Sequence, residues 1–410
     1  MMIYGLTILA ILFILASFLI RRSIPFLWMS LVVVSSYHID AIFTLQYGGL
    51  YFSKSINSSG FSMHSMMIVL LQATACIGVL SIFNIFLGKK TNLSRSGGLS
   101  IDKDLFSAAV IWLLLVISLT LFVFDVSDIA QILINRQIFF EDNVLALIVL
   151  YILPAVAIVF FINFFHTSNS GIKWFSFLAL LLLVLLGGLT GSRSTLMLSI
   201  LLPVVIYIYF LKLNKKGCQT IPLKGLATVG ILLMVFVYLA ITYRDMTRGD
   251  QEDINLFISA DSISLDSSII IVEKNLGRKG TYFSALTFLV PRSVWPDKPE
   301  SGNNYLTEEL FPVRFSDGGL AEITTSLLGE SYINFGDFGF LFAGFLLCIL
   351  VWISDKFLSK GGLFFILGIL FFCRGTNLVR GDLLNTVVPL FFSYLVIISS
   401  TIKYRLRKVK

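Results

Sequence analysis

Charge is scarce in this chain. Asp, Glu, Lys and Arg make up 13% of its 410 residues, whereas a soluble domain carries about 25%, so a water-soluble globular fold is excluded. Cysteine is scarce too. The four, Cys76, Cys218, Cys348 and Cys373, fall in or near apolar runs or in a basic connector, which excludes a disulfide framework. Histidine occurs three times, at His38, His64 and His166, and no Cys/His spacing resembles a zinc site. Internal repeats and low-complexity tracts are absent, and the basic C-terminal YRLRKVK is an anchor rather than a nucleic-acid signal.

What fills the sequence instead is apolar. Hydrophobic residues make up 57% and the mean hydropathy is +0.89, the values of an integral membrane protein. Runs of about 20 apolar residues cross a bilayer. Eleven are present, at 3–20, 24–45, 64–87, 105–124, 144–165, 174–189, 195–213, 223–243, 338–357, 363–377 and 383–402. The expectation is an all-α polytopic membrane protein with about 11 transmembrane helices. Arg21 and Arg22 follow the first run rather than precede it, so it reads as a retained span and not a cleavable signal.

Three regions follow: residues 1–243 with spans one to eight, residues 244–337 as one long polar connection, and residues 338–410 with spans nine to eleven and a basic tail. Ordinary connections run about 4–6 residues, so the middle region is expected to carry part of a functional site. It contains no cysteine and must hold itself by packing against the spans. Alternate loops collect 18 of the 31 Lys and Arg, which places them in the cytoplasm by the positive-inside rule, with the C-terminus also inside and the long connection outside.

The remaining basic residues differ in chemistry. The inner set is 13 Lys to 5 Arg, and the outer set is 4 Lys to 9 Arg. Topology alone does not ask for arginine, whose rigid fork holds phosphate or carboxylate bidentately. An outer face built for a phosphorylated ligand is one consequence; snorkelling and local ion pairs account for part of the bias.

Along the chain, His38 and Asp40 close the second span, facing an interior cavity or, more plainly, forming a solvated helix end. In GGLTGSRSTLM, Arg193 lies beside a helix start, where free N–H groups and the dipole favour an anion. Arg244 and Arg248 are four apart on one helical face. Gly277 and Gly280 flank Arg278 and Lys279. The apolar stretch 281–290 is too short to span and reads as re-entrant or interfacial. Three prolines stiffen PRSVWPDKP, presenting Arg292, Trp295, Asp297 and Lys298 on a ledge. Tyr305, Phe311 and Phe315 offer faces for sugar stacking. Residues 321–334 read as one helix, with Glu322 and Glu330 within about 80° on a face. In the tenth span the apolar run stops at Cys373, drawing Arg374 to membrane depth. If the helix continues, Arg374, Asn377 and Arg380 line one side, as an anion site or a structural ion pair.

G-S-R-S at Gly191–Ser194, P-R-x-x-W-P-x-K-P at Pro291–Pro299, G-E-x-Y-x-N-F-G-x-x-G at Gly329–Gly339 and R-G at Arg380–Gly381 together resemble the bacterial oligosaccharide repeat-unit (O-antigen) polymerases of the Wzy type. The resemblance implies a GT-C-like inverting glycosyltransferase of the bacterial inner membrane, acting at the periplasmic face on undecaprenyl-pyrophosphate-linked oligosaccharides. It implies no metal, no nucleotide sugar and no other cofactor, and a separate chain-length regulator as partner. On this view Glu330 is the first candidate for the general base, with Glu322 and Asp297 behind it. Arg193, Arg292 and Arg380 stabilise the pyrophosphate, and Arg244, Arg278, Arg374, Trp295, Asp297, Lys298, Tyr332 and Asn334 contact substrate. An O-antigen ligase uses the same donor, and a lipid-linked oligosaccharide flippase is the rival from another class.

Overall fold

A computed structural model describes residues 2–21, 23–47, 62–87, 103–123, 144–189, 263–277, 279–288, 290, 294–310, 323–360 and 362–408. All regular structure among these residues is helical. Among the described residues, four stretches are long and apolar enough to cross a membrane: Met2–Arg21, Ile24–Ile42, Met63–Leu87 and Leu327–Lys360, with shorter apolar helices at Phe106–Phe122, Tyr151–Phe165, Ser170–Leu183 and Leu384–Ser399. This is the make-up of a helical membrane protein. The expected spans at 195–213 and 223–243 lie outside the described residues.

The chain forms two compact units. The first comprises residues 1–91, 244–355 and 375–388. It begins with α1 (Met2–Arg21) and α2 (Ile24–Val33), which runs through a π-helical turn (Val34–Ile39) into α3 (Asp40–Tyr47). Ser23 starts α2 by accepting the Phe26 N–H, with Pro25 in the first turn, where its missing N–H costs nothing. Then comes α4 (Met63–Leu87). The outward side of α1 carries exposed Ile8, Leu12, Leu15 and Leu19, an apolar surface that lipid solvates. Between the helices the contacts are polar as well as apolar. His38 is fully buried, with Thr7 Oγ1 and Thr74 Oγ1 each 3.4 Å from its ring nitrogens. Of the two readings open there, His38 takes the interior one and not the solvated helix end, with its imidazole between α1 and α4.

The described part of the long connection supplies α8 (Ile263–Glu273), α9 (Tyr282–Leu286), α10 (Gly302–Leu310) and α11 (Leu327–Phe335). Here α8 packs against α4 and α11, so the connection does brace itself on a membrane helix. Ile270 and Ile271 of α8, Tyr305 and Leu306 of α10, Ile323, and Tyr332 and Ile333 of α11 form a separate apolar core. The single helix expected over 321–334 is also corrected. Residues 323–326 are not helical, and Ser326 (φ 63°, ψ 161°) caps α11 by accepting the Gly329 N–H. Glu322 lies outside the described residues, and Glu330 stands on a helix that begins only at Leu327.

The chain turns at Gly336 (φ 61°) through a 3₁₀ turn, Gly336–Phe338, into α12 (Gly339–Lys360), followed by α13 (Gly362–Arg380) and α14 (Leu384–Lys408). Leu327–Lys360 is therefore broken at Gly336, and α12 alone, at about 1.5 Å per residue, is long enough to cross. The tenth apolar run does continue as helix through Arg374 to Arg380, as its pattern predicts.

The second unit comprises residues 92–243, 356–374 and 389–410. It contains α5 (Lys103–Val123), α6 (Val144–His166) and α7 (Ser170–Leu189), with α6 packed against both others. Trp112 Nε1 donates to Ser399 Oγ at 2.9 Å, and aromatic pairs such as Phe106–Phe175 and Phe357–Phe371 join its helices.

Candidate functional site

The first unit gathers polar groups around one carboxylate. Glu330 has no exposed surface, yet both of its oxygens are engaged. Oε1 accepts the Thr281 hydroxyl at 3.2 Å and Oε2 accepts the Leu383 N–H at 2.7 Å, while the Gly302 N–H also faces it. These partners sit at the starts of α9, α10 and α14, where backbone N–H groups lack intrahelical acceptors and the helix dipoles favour an anion. One carboxylate thus ties three helix starts to α11.

The sequence makes room for it. A Cβ on Gly302 would stand 3.0 Å from Glu330 Oε1 and 2.9 Å from Thr325 Oγ1, so this position takes glycine because the carboxylate occupies the side-chain space. Asn334, one helical turn after Glu330, donates to Thr281 Oγ1 at 2.7 Å and to the Glu330 carbonyl at 2.8 Å, and accepts the Tyr282 N–H at 3.3 Å. Tyr332 donates to Asn275 Oδ1 at 3.3 Å. Both residues brace the site from behind.

Asp382 is a second buried acid beside the first. Its Oδ1 accepts the Asn385 N–H at 2.9 Å, capping α14, whereas its Oδ2 has no hydrogen-bond partner among the described residues. Burial holds the Asp382 carboxyl above the usual range, against the pull of the N–H groups that face it.

Thr281 connects this buried cluster to a cleft of about 580 Å³ lined by Lys279, Gly280, Thr281, Lys298, Pro299, Glu300, Tyr305, Glu308 and Glu309. Lys279 lies over the Tyr305 ring, 5.2 Å from its centre. Burial and the neighbouring Glu309 raise the Tyr305 phenol, which keeps it a neutral hydroxyl. Lys298 donates to the Phe288 and Val290 carbonyls, both at 3.2 Å, joining the proline-rich turn to the segment after α9. The cleft therefore offers ammonium donors and carboxylate acceptors, a set that suits a ligand dense in hydroxyls.

Of the residues singled out in the sequence, Lys298 lines the cleft, and Glu330 and Asn334 reach it through Thr281. Tyr332 belongs to the apolar core behind it. Trp295 and Asp297 are exposed on the turn. Arg380 is half-buried at the end of α13, and Arg374 is buried in the second unit. Arg193, Arg244, Arg278 and Arg292 lie outside the described residues. Sequence reasoning missed Thr281, Gly302, Glu308, Glu309 and Asp382. A signal existed for Asp382, since D-x-x-N before an apolar run is the pattern of an N-cap. None existed for Thr281 or Gly302, whose roles arise from chain segments about 30 to 50 residues away. Among the described residues no group of three or more His, Cys, Asp or Glu is placed to hold a metal ion. No family model, curated protein or solved structure matches this chain.

Proposed function

We propose that this protein is an inverting glycosyltransferase of the bacterial inner membrane, with about eleven spans and a GT-C-like fold. It joins undecaprenyl-pyrophosphate-linked oligosaccharide repeat units into O-antigen or a related surface polysaccharide at the periplasmic face. The observation that carries this reading is the cleft walled by Lys279, Lys298, Glu308, Glu309 and Tyr305, set in the long connection whose motifs resemble the repeat-unit polymerases and floored by the hydroxyl of Thr281.

The chemistry asks for two things. The acceptor sugar hydroxyl has a high pKa and must give its proton to a base in the transition state. Glu330 is enclosed, and among the described residues Thr281, whose hydroxyl already donates to Oε1, links it to the cleft. Thr281 receives the acceptor proton while passing its own to Glu330, and each group ends with its valence balanced. Glu308 and Glu309, which line the cleft directly, are the competing bases. The departing lipid pyrophosphate gathers charge on its oxygens, which arginine forks stabilise. Arg380 and the outer Arg193, Arg278 and Arg292 are assigned to it, with Arg244 behind them.

A gel of surface polysaccharide from a deletion strain tests the reading. Collapse of the ladder to core plus one repeat unit is the expected result, and bare core assigns the protein to ligation instead. An unchanged ladder rejects both. Within a strain that makes polymer, Thr281→Val should lower the rate by on the order of 10²-fold if the relay operates, while Thr281→Ser should retain most of it.

A further inference from the structure

A guanidinium on α13 is buried. Arg374 is 3% exposed, and its Nε and Nη2 are both enclosed without a hydrogen-bond partner among the described residues. These two N–H groups share one edge of the planar guanidinium, so the unsatisfied donors form a single two-pronged fork. Such an edge matches two oxygens on one centre, as in a phosphate or a carboxylate, and fits a single-point acceptor poorly.

Among the described residues, no carboxylate bears on it. The residues of this unit whose charge bears on Arg374 are Tyr151 on α6 and Cys373, its neighbour on α13, and both are neutral in their ordinary state. Of the described helices of this unit, α6, α7, residues 356–374 and residues 389–408 contain no Asp or Glu, and α5 carries one, Asp104, at its start. A guanidinium enclosed at membrane depth costs far more unpaired than paired, so the arrangement is complete only with an oxyanion from outside these elements. Arg374 lies six residues before the end of α13, about 9 Å along the axis; with the tenth apolar run spanning the bilayer as its sequence leads one to expect, that is within reach of a phosphate held at the membrane surface. Between the two candidate oxyanions, phosphate is the one a bilayer supplies at that level.

We propose that Arg374 is the binding residue of a phosphate site inside the second unit, its Nε and Nη2 edge taking two phosphate oxygens. The phosphate comes from a lipid headgroup or from solution. This assignment takes Arg374 out of the substrate contacts that the family resemblance implies for it, and it does not depend on the glycosyl-transfer reading.

The test is thermal unfolding of the full chain, purified in detergent and stripped of lipid. It is titrated separately with sodium phosphate and with dioctanoyl phosphatidic acid, against sodium chloride at matched ionic strength. Wild type should show a saturable rise in Tm of about 3–6 °C with at least one phosphate probe and none with chloride. A response to phosphatidic acid alone identifies a headgroup site, and a response to inorganic phosphate identifies a site for the free anion. Arg374→Met should abolish the response and, having lost a buried charge, should unfold no earlier than unliganded wild type. Arg374→Lys, which keeps the charge without the fork, should weaken the apparent affinity at least about tenfold. If Arg374→Met does not fold, the Arg374→Lys titration decides. Absence of a phosphate response in wild type, an equal response to chloride, or an undiminished response in the folded variant overturns the proposal. A polysaccharide ladder bears only on the polymerase reading, so the two can fail separately.

Discussion

Glu330 shows how a residue read as chemistry can also be architecture. Its oxygens accept from Thr281 and Leu383, so Glu330→Gln places an amide donor against a group that is itself a donor. The expected cost is about 1–3 kcal/mol of stability, read as a lower Tm; an unchanged Tm with lost polymer would assign the residue to catalysis alone. Gly302→Ala pushes a methyl to 3.0 Å from Glu330 Oε1 and should cost about 1–3 kcal/mol. Restoring space with Glu330→Asp on the same background should recover part of it, a coupling that unfolding curves of the double mutant would show. Asp382 predicts a pH dependence. Its folded carboxyl titrates above its ordinary range because burial disfavours the charge, so the favourable contribution of its bound proton is present at low pH and is lost as pH rises through the folded value. Asp382→Asn keeps an acceptor for the Asn385 N–H and removes the titration, so its Tm should fall less than that of wild type as pH is raised above the ordinary carboxylate range.

At the scale of elements, the turns on either side of α11 decide where Glu330 points. Ser326 combines a positive φ with two side-chain contacts, the Gly329 N–H and Ser268 Oγ at 2.7 Å. Ser326→Ala removes both and should cost about 1–2 kcal/mol, whereas Ser326→Gly relieves the backbone and should cost less. After α11, a Cβ on Gly339 would meet the Ser331 carbonyl at 2.5 Å, a backbone contact that no side-chain movement can relieve. Gly339→Ala should therefore cost about 3 kcal/mol and displace α12 from α11, while Gly277→Ala, with nothing within 4 Å, serves as the control. The glycines and asparagine of GESYINFG are legible in the sequence as a motif. Their roles as packing surface and brace are not, because they depend on which backbone lies opposite.

On the scale of the whole molecule, the membrane assignment makes a labelling prediction. Cys76, Cys348 and Cys373 are all buried, so in a Cys218→Ser variant a small maleimide should label native membranes little and label fully after denaturation. Fast native labelling would contradict the packing of both units. Composition determined that this chain folds in lipid and as helices, because backbone polar groups in hydrocarbon must bond within their own segment and apolar runs of bilayer length permit little else. Periodicity likewise carried the tenth helix through Arg374. The tertiary structure alone decided that Thr281, Gly302, Glu330 and Leu383 meet at one point and that His38 faces inward. Helix propensity is a local property of consecutive residues. A buried carboxylate is placed by donors that distant segments bring to it, and no spacing along the chain records that encounter.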